Sequence, residues 1–272
     1  YLYIVKYKNM YQMDNTNDLR RYDYGDYTPL TSRCEQIKEY LDEKLDGMDS
    51  EHISTTIRDS VNENMDDNAY IGFMYGTPNS TTYAATHANI NKSTILQNLE
   101  TWYKAKLTSY TEKLADTIWC NDKSTVSGGP GYSTNNTDYA AYNRLRSTKQ
   151  PTLICPNDNK GGKLSKFTVK DTTNGNGNLT YKIGLLTADE IAFAGSSAYT
   201  TNLSTYLQEN TGTNRWWSLS PKGYACVWCV ASGNLGDCGV HLGGGLRPVI
   251  SLVSSTTISG GSGTSEDPYV VE

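Results

Sequence analysis

An α+β fold is predicted for this 272-residue chain by three features of its sequence. Its apolar runs are short and rich in aromatic and β-branched residues. Only a few stretches combine helical periodicity with a capping signal, and the connections between them are long and rich in Ser, Thr, Asn and Gly. No Gly-x-Gly-x-x-Gly or phosphate-loop pattern follows a predicted strand, which argues against a doubly wound nucleotide-binding architecture.

Taken in order, Ser32 and Glu35 form a capping box, and Ile37, Tyr40, Leu41 and Leu45 then share one helical face until Gly47 ends it. Residues 69–76 read as an aromatic strand closed by Gly76, Pro78 and Asn79. Thr94 and Gln97 make a second capping pair, and Leu96, Leu99, Trp102, Tyr103 and Leu107 lie on one stripe that should face the core. Residues 124–136 and 160–178 read as loops, 138–145 as a brief helix and 180–186 as a strand. Thr187 and Glu190 form another capping box, opening a short helix through Phe193 that Gly195 closes. Further strands are expected over 216–219, 224–231, 247–253 and 269–271. The expected organisation is an N-terminal extension over 1–67, a main domain over 68–254 and a Gly/Ser linker with an edge strand over 255–272.

Composition narrows the function. The 21 Tyr and 5 Trp outweigh 3 Phe, so the aromatic side chains are chiefly those that tolerate water and serve recognition surfaces. A net charge of −5 with the two signs interspersed offers no stripe for a phosphate backbone, so nucleic acid is not an expected partner. No stretch of about 20 apolar residues is present, so no membrane span is expected. The opening residues 1–6 are too short and polar for a signal, which an exported form would have lost.

Six cysteines in a Ser/Thr/Asn-rich chain fit an extracellular or cell-surface location. Cys120 and Cys155 flank a Gly/Ser/Asn/Tyr-rich segment, and a disulfide between them would contribute roughly 3–4 kcal/mol by restricting the unfolded chain. Two reduced, buried cysteines are the alternative. Cys226, Cys229, Cys238 and His241 are spaced Cys-x2-Cys-x8-Cys-x2-His, a pattern that fits a structural zinc site. Val227 and Trp228 prefer a strand, however, where positions three apart face opposite ways, so a disulfide from Cys238 to Cys226 or Cys229 is favoured over a metal. The connectivity of Cys34, Cys226, Cys229 and Cys238 is left open. The histidines His52, His87 and His241 stand in no nucleophile or metal motif beyond this one, and neither enzymatic activity nor a cofactor is expected.

A family resemblance rests on the segments Leu185-Leu186-Thr187-Ala188-Asp189-Glu190 and Trp216-Trp217-Ser218-Leu219-Ser220-Pro221. It continues through Ala225, Val230 and Gly233 to Gly245-Leu246-Arg247-Pro248-Val249-Ile250-Ser251-Leu252. These resemble bacterial surface proteins with the C-type-lectin-like fold, shared with formylglycine-generating enzymes and the variable proteins of diversity-generating retroelements. The strand near 70–76, the Trp102 helix and Cys120-Asn121-Asp122 are similar to the upstream part of such secreted proteins in gut Gram-positive bacteria, where a pilin-like signal often precedes the domain.

The resemblance covers 68–254 and implies a fold that tolerates variation at solvent-facing positions of the stretch after the paired tryptophans. Exposed Tyr224, Trp228, Asn234, Leu235, Asp237, His241 and Leu242 would then form the recognition surface for a protein or glycan ligand. Arg247 and Pro248 would be structural, Arg247 pairing with a carbonyl or carboxylate. The chain lacks the Glu-Pro-Asn, Gln-Pro-Asp and Trp-Asn-Asp signatures of calcium-dependent sugar lectins, so the resemblance concerns shape. The catalytic cysteine arrangement of the formylglycine-generating enzymes does not stand out either. A second possible role is a filament subunit, with residues 1–7 and 265–272 as strands that pair between copies.

Overall fold

The structure, a computed structural model, describes residues 67–158, 162–201, 207, 215–240, 244–263 and 267–271. The expected helix over 32–47, the strand over 1–7, Cys34, His52, His241 and Leu242 lie outside the described residues.

The architecture is mixed α+β, with few helices and several small antiparallel sheets. In chain order, a 3-10 turn (Asn68–Tyr70) leads to β1 (Met74–Tyr75), helix α1 (Tyr83–Thr86), β2 (Asn91–Lys92) and helix α2 (Thr94–Lys106). There follow β3 (Trp119–Cys120), β4 (Thr125–Gly128), β5 (Thr137–Tyr139) and helix α3 (Ala140–Tyr142), which continues as a π-helical turn (Asn143–Ser147). Next come β6 (Lys166–Phe167), helix α4 (Ala188–Phe193), β7 (Trp216–Gly223), β8 (Cys226–Ala231), β9 (Asn234–Gly239), β10 (Ile258–Gly260) and β11 (Val270–Val271). The largest sheet has the order β4-β5-β7-β8-β9 and is antiparallel throughout, while β1-β2, β3-β6 and β10-β11 form separate two-stranded pairs.

Helix α2 buries Ile95, Leu96, Leu99 and Tyr103 and carries Lys104 and Lys106 near its C-terminus, where cations complement the exposed carbonyls. Its cap is Ser93, whose hydroxyl accepts the Leu96 N–H, so the expected Thr94–Gln97 pair starts one residue late. The Thr187–Glu190 capping box of α4 forms as expected. Three expected strands shrink, that over 247–253 to isolated bridges at Val249 and Leu252. Of 69–76 only Met74 and Tyr75 pair, because Gly72, at φ +141°, makes way for the buried Lys123 stem, whose Nζ donates to the Met74 carbonyl at 2.6 Å. Of 180–186 only Gly184 bridges, to Val249 of the expected 247–253 strand. The expected loop over 124–136 contains β4, which pairs with β5.

The core gathers Trp216, Trp217, Trp228, Phe73, Phe167, Tyr103 and Tyr139 with aliphatic partners. One glycine of the Gly-rich motif after β9 is explained by its contacts. A Cβ on Gly244 would lie 2.6 Å from the Trp217 indole nitrogen, so the close approach needs glycine. Arg247 stands 4.6 Å from the Trp216 ring and donates to the Leu207 carbonyl at 2.7 Å, the structural role expected for it.

Candidate functional site

The hairpin of β8 and β9 is in regular register from Cys226 opposite Gly239 to Ala231 opposite Asn234. Cys226, Trp228 and Val230 therefore share one face with Leu235 and Asp237, and Val227 and Cys229 share the other with Cys238. Both faces are covered. Trp228, Val227, Val230 and Leu235 are fully buried and Cys229 almost so, which corrects the expectation that Trp228 and Leu235 are exposed recognition residues. The cause is visible in the run Cys-Val-Trp-Cys-Val-Ala: an uninterrupted apolar segment belongs to a strand enclosed on both sides, whereas a half-exposed strand alternates.

Cys229 and Cys238 are diagonal neighbours on one face, with Cα atoms 5.9 Å apart, and they form a disulfide. This corrects the zinc alternative, since two of its four proposed ligands are oxidised; Cys226 points to the other face, and His241 lies outside the described residues. The Cys120–Cys155 disulfide expected from the sequence is present, closing 35 residues.

Of the remaining expected surface residues, Tyr224 and Asn234 are half-buried, and Asp237 is exposed. Asp237 belongs to a cluster that the linear sequence does not display. The turn at 196–201 lies along the outer edge of β9, bridging Ala198 to Leu235 and Thr201 to Asn234, with the Tyr199 N–H donating to the Leu235 carbonyl at 2.8 Å. Tyr199 takes the left-handed conformation, φ +58°, which is costly for a bulky side chain and is sustained by its contacts. Its ring lies 5.6 Å from Trp228, covering that indole, and its hydroxyl donates to Asp237 Oδ1 at 2.6 Å. Burial of the phenol and the neighbouring Asp237 carboxylate push the Tyr199 pKa well up, so the hydroxyl stays a donor.

Two cations complete the cluster. The Arg146 guanidinium stands 4.8 Å from the Tyr199 ring and 6.0 Å from the Tyr142 ring. The Lys222 ammonium is 5.1 Å from the Tyr142 ring and 3.9 Å from Asp237 Oδ2. Tyr142 and Arg146 come from one helical turn, Tyr199 from the edge turn, Lys222 from β7 and Asp237 from β9. The i, i+4 spacing of Tyr142, inside the segment 138–145 expected to be helical, and Arg146, one residue beyond it, was the one local signal; the rest depends on strand pairing across the sheet.

A separate cavity of about 140 Å³ opens between β3, the segment near 152–155 and α4. On its wall the Arg144 guanidinium grips Asp189 through Nε and Nη2 at 2.8 and 2.9 Å, and Asp122 through Nη1 at 2.7 Å. Burial alone would lower the Arg144 pKa, but the hydrogen bonds and charge of the two carboxylates more than offset it, and the group stays cationic. Asp189 also accepts the Thr152 N–H, and Glu190 accepts both the N–H and the hydroxyl of Thr187. Burial raises the Glu190 pKa. These groups satisfy one another and tie the 152 segment to α4, so the network reads as structural bracing. Among the described residues no group of three or more His, Cys, Asp or Glu side chains could hold a metal ion.

None of the protein-family models, curated proteins or solved structures compared with this chain matches it.

Proposed function

We propose that the chain is an extracytoplasmic, non-enzymatic ligand-binding module, an adhesive display domain whose recognition surface is the platform of Tyr142, Arg146, Tyr199, Lys222 and Asp237. The observation that carries this reading is Tyr199, an exposed aromatic held at positive φ by an indole, a carboxylate and a guanidinium at once. Strain of that kind persists where surrounding contacts over-determine it, and it concentrates at functional positions. Arg and Tyr are also the residues that dominate binding energy at interfaces.

Two disulfides suit an oxidising compartment, and no helix among the described residues is long and apolar enough to cross a membrane. The C-type-lectin-like assignment remains part of the proposal, resting on the motif around Trp216-Trp217 and Gly245-Leu246-Arg247-Pro248. Sequence variation in such a module would be tolerated at the outward side chains of the platform and not inside the hairpin. Adhesion of the labelled protein to bacterial and epithelial cell surfaces tests the reading. Arg146→Ala is expected to lower capture at least tenfold while the unfolding temperature moves by no more than about 1 °C, because the side chain is exposed. Capture equal to that of the parent protein removes the proposal.

A filament subunit is the second reading, favoured by one specific feature. Ile258, Tyr269, Val270 and Val271 are all about half exposed on or beside the two-stranded β10-β11 pair. A lone hairpin with apolar faces and open edges is a natural template for strand addition.

A further inference from the structure

We propose that the platform receives a carboxylate side chain of an acidic peptide segment on a protein partner, with Arg146 as the principal contact and Lys222 as the supporting one. This rests on the recognition surface proposed above and names its ligand.

The argument begins with what Arg146 does not do. Its guanidinium is held by the Tyr142 and Tyr199 rings, yet among the described residues none of its N–H groups donates a hydrogen bond. Arg144, two residues earlier, donates from Nε, Nη1 and Nη2 to Asp122 and Asp189. A guanidinium presents its donors as a planar fork that matches a carboxylate, and cation–π contact with the Tyr199 ring at 4.8 Å and the Tyr142 ring at 6.0 Å restrains it before the ligand arrives. The ordering cost of a long side chain is thereby met in the free protein. Lys222 is only loosely engaged: among the described residues its one ion pair is with Asp237 Oδ2 at 3.9 Å, beyond hydrogen-bond distance, so its ammonium can also turn to an incoming carboxylate.

The charges of Arg146, Lys222 and Asp237 leave the patch positive by one unit on a chain whose net charge is −5. A single carboxylate neutralises it. The same geometry argues against a sugar. Stacking of a pyranose needs an open aromatic face, and here cations lie over the rings of both Tyr142 and Tyr199.

The experiment is an NMR titration of the whole chain with a twelve-residue peptide alternating Glu and Ala, alongside its Gln/Ala counterpart and a galacturonate hexamer. The Glu peptide is expected to bind at least tenfold more tightly than the Gln peptide, and to weaken as salt rises from 20 to 200 mM, values of order the Debye-screening range. Arg146→Ala should weaken it by tenfold or more, Arg146→Lys by several-fold because the fork is lost, and Lys222→Gln by less than Arg146→Ala. Equal affinity for the Glu and Gln peptides, an Arg146→Ala variant that binds the Glu peptide normally, or binding of the galacturonate hexamer in preference to the Glu peptide would each overturn the proposal. The parallel adhesion assay separates the two levels. Lost capture in Arg146→Ala together with no response to the Glu peptide leaves the recognition surface standing and rejects only the acidic-peptide ligand.

Discussion

His87 is completely buried beside Tyr83 and donates from Nε2 to the Gly131 carbonyl at 2.6 Å, and among the described residues its Nδ1 has no hydrogen-bond partner. Burial first, and the nearby Lys123 ammonium second, push its pKa down to about 3, whereas the unfolded chain keeps the ordinary value near 6.5. Below pH 6.5 the unfolded state binds a proton that the folded state refuses, so this contribution to stability is complete at neutral pH and is lost as the pH falls from about 6.5 towards 3. Urea unfolding at pH 7 and pH 4.5 should show a drop on the order of 2 kcal/mol from this group, and His87→Gln should flatten the dependence by that amount. An identical pH profile in the variant would contradict the assignment. Trp228 makes a second residue-scale case. Because it is fully buried, Trp228→Ala should cost about 3–5 kcal/mol of unfolding free energy, whereas a surface residue would cost a few tenths. Hydrophobic identity and strand membership of Trp228 were legible in the sequence. Its burial follows from the unbroken apolar run 226–231, but what covers it does not, because the turn carrying Tyr199 arrives from 29 residues upstream.

At the scale of elements, local signals served well where a local interaction decides the outcome. The stripe of Leu96, Leu99 and Tyr103 and the Thr187–Glu190 box correspond to real helices because periodicity and caps act within a few residues. Residues 180–186 have strand-like composition yet form no named strand, since pairing needs a neighbour that composition cannot supply; Gly184 bridges Val249, with its Cα side facing the Trp119 ring, and the Leu186 carbonyl accepts from the Leu219 N–H at 2.7 Å. The two disulfides should differ in worth. Chain entropy assigns about 4 kcal/mol to the Cys120–Cys155 link, which closes 35 residues, and about 2.5 kcal/mol to Cys229–Cys238, which closes 9. Paired Cys→Ala variants compared by denaturant unfolding check that order; a larger loss from the hairpin link would reject it. The Gly-rich motif is similarly testable. Gly244→Ala forces a methyl to within 2.6 Å of the Trp217 indole, and a loss of about 1–3 kcal/mol is expected from the displaced ring.

For the molecule as a whole, the mixed α+β class was readable from short strands and long polar connections, and the sheet order β4-β5-β7-β8-β9 was not. The platform was hidden for the same reason: Asp237 was singled out in the sequence, but Tyr142, Arg146, Tyr199 and Lys222 reach it only through that order. Size-exclusion chromatography and electron microscopy of the purified chain separate display from filament formation, with a monodisperse monomer expected and regular filaments favouring the β10-β11 reading. The most direct measurement is oxidative footprinting of side chains with the protein free and bound to a cell surface that captures it. Tyr142 and Tyr199 should lose reactivity on binding while Trp228 stays unreactive in both states. Unchanged Tyr142 and Tyr199, with protection at Leu153 and Ile154 beside the cavity instead, would place recognition elsewhere and contradict the account.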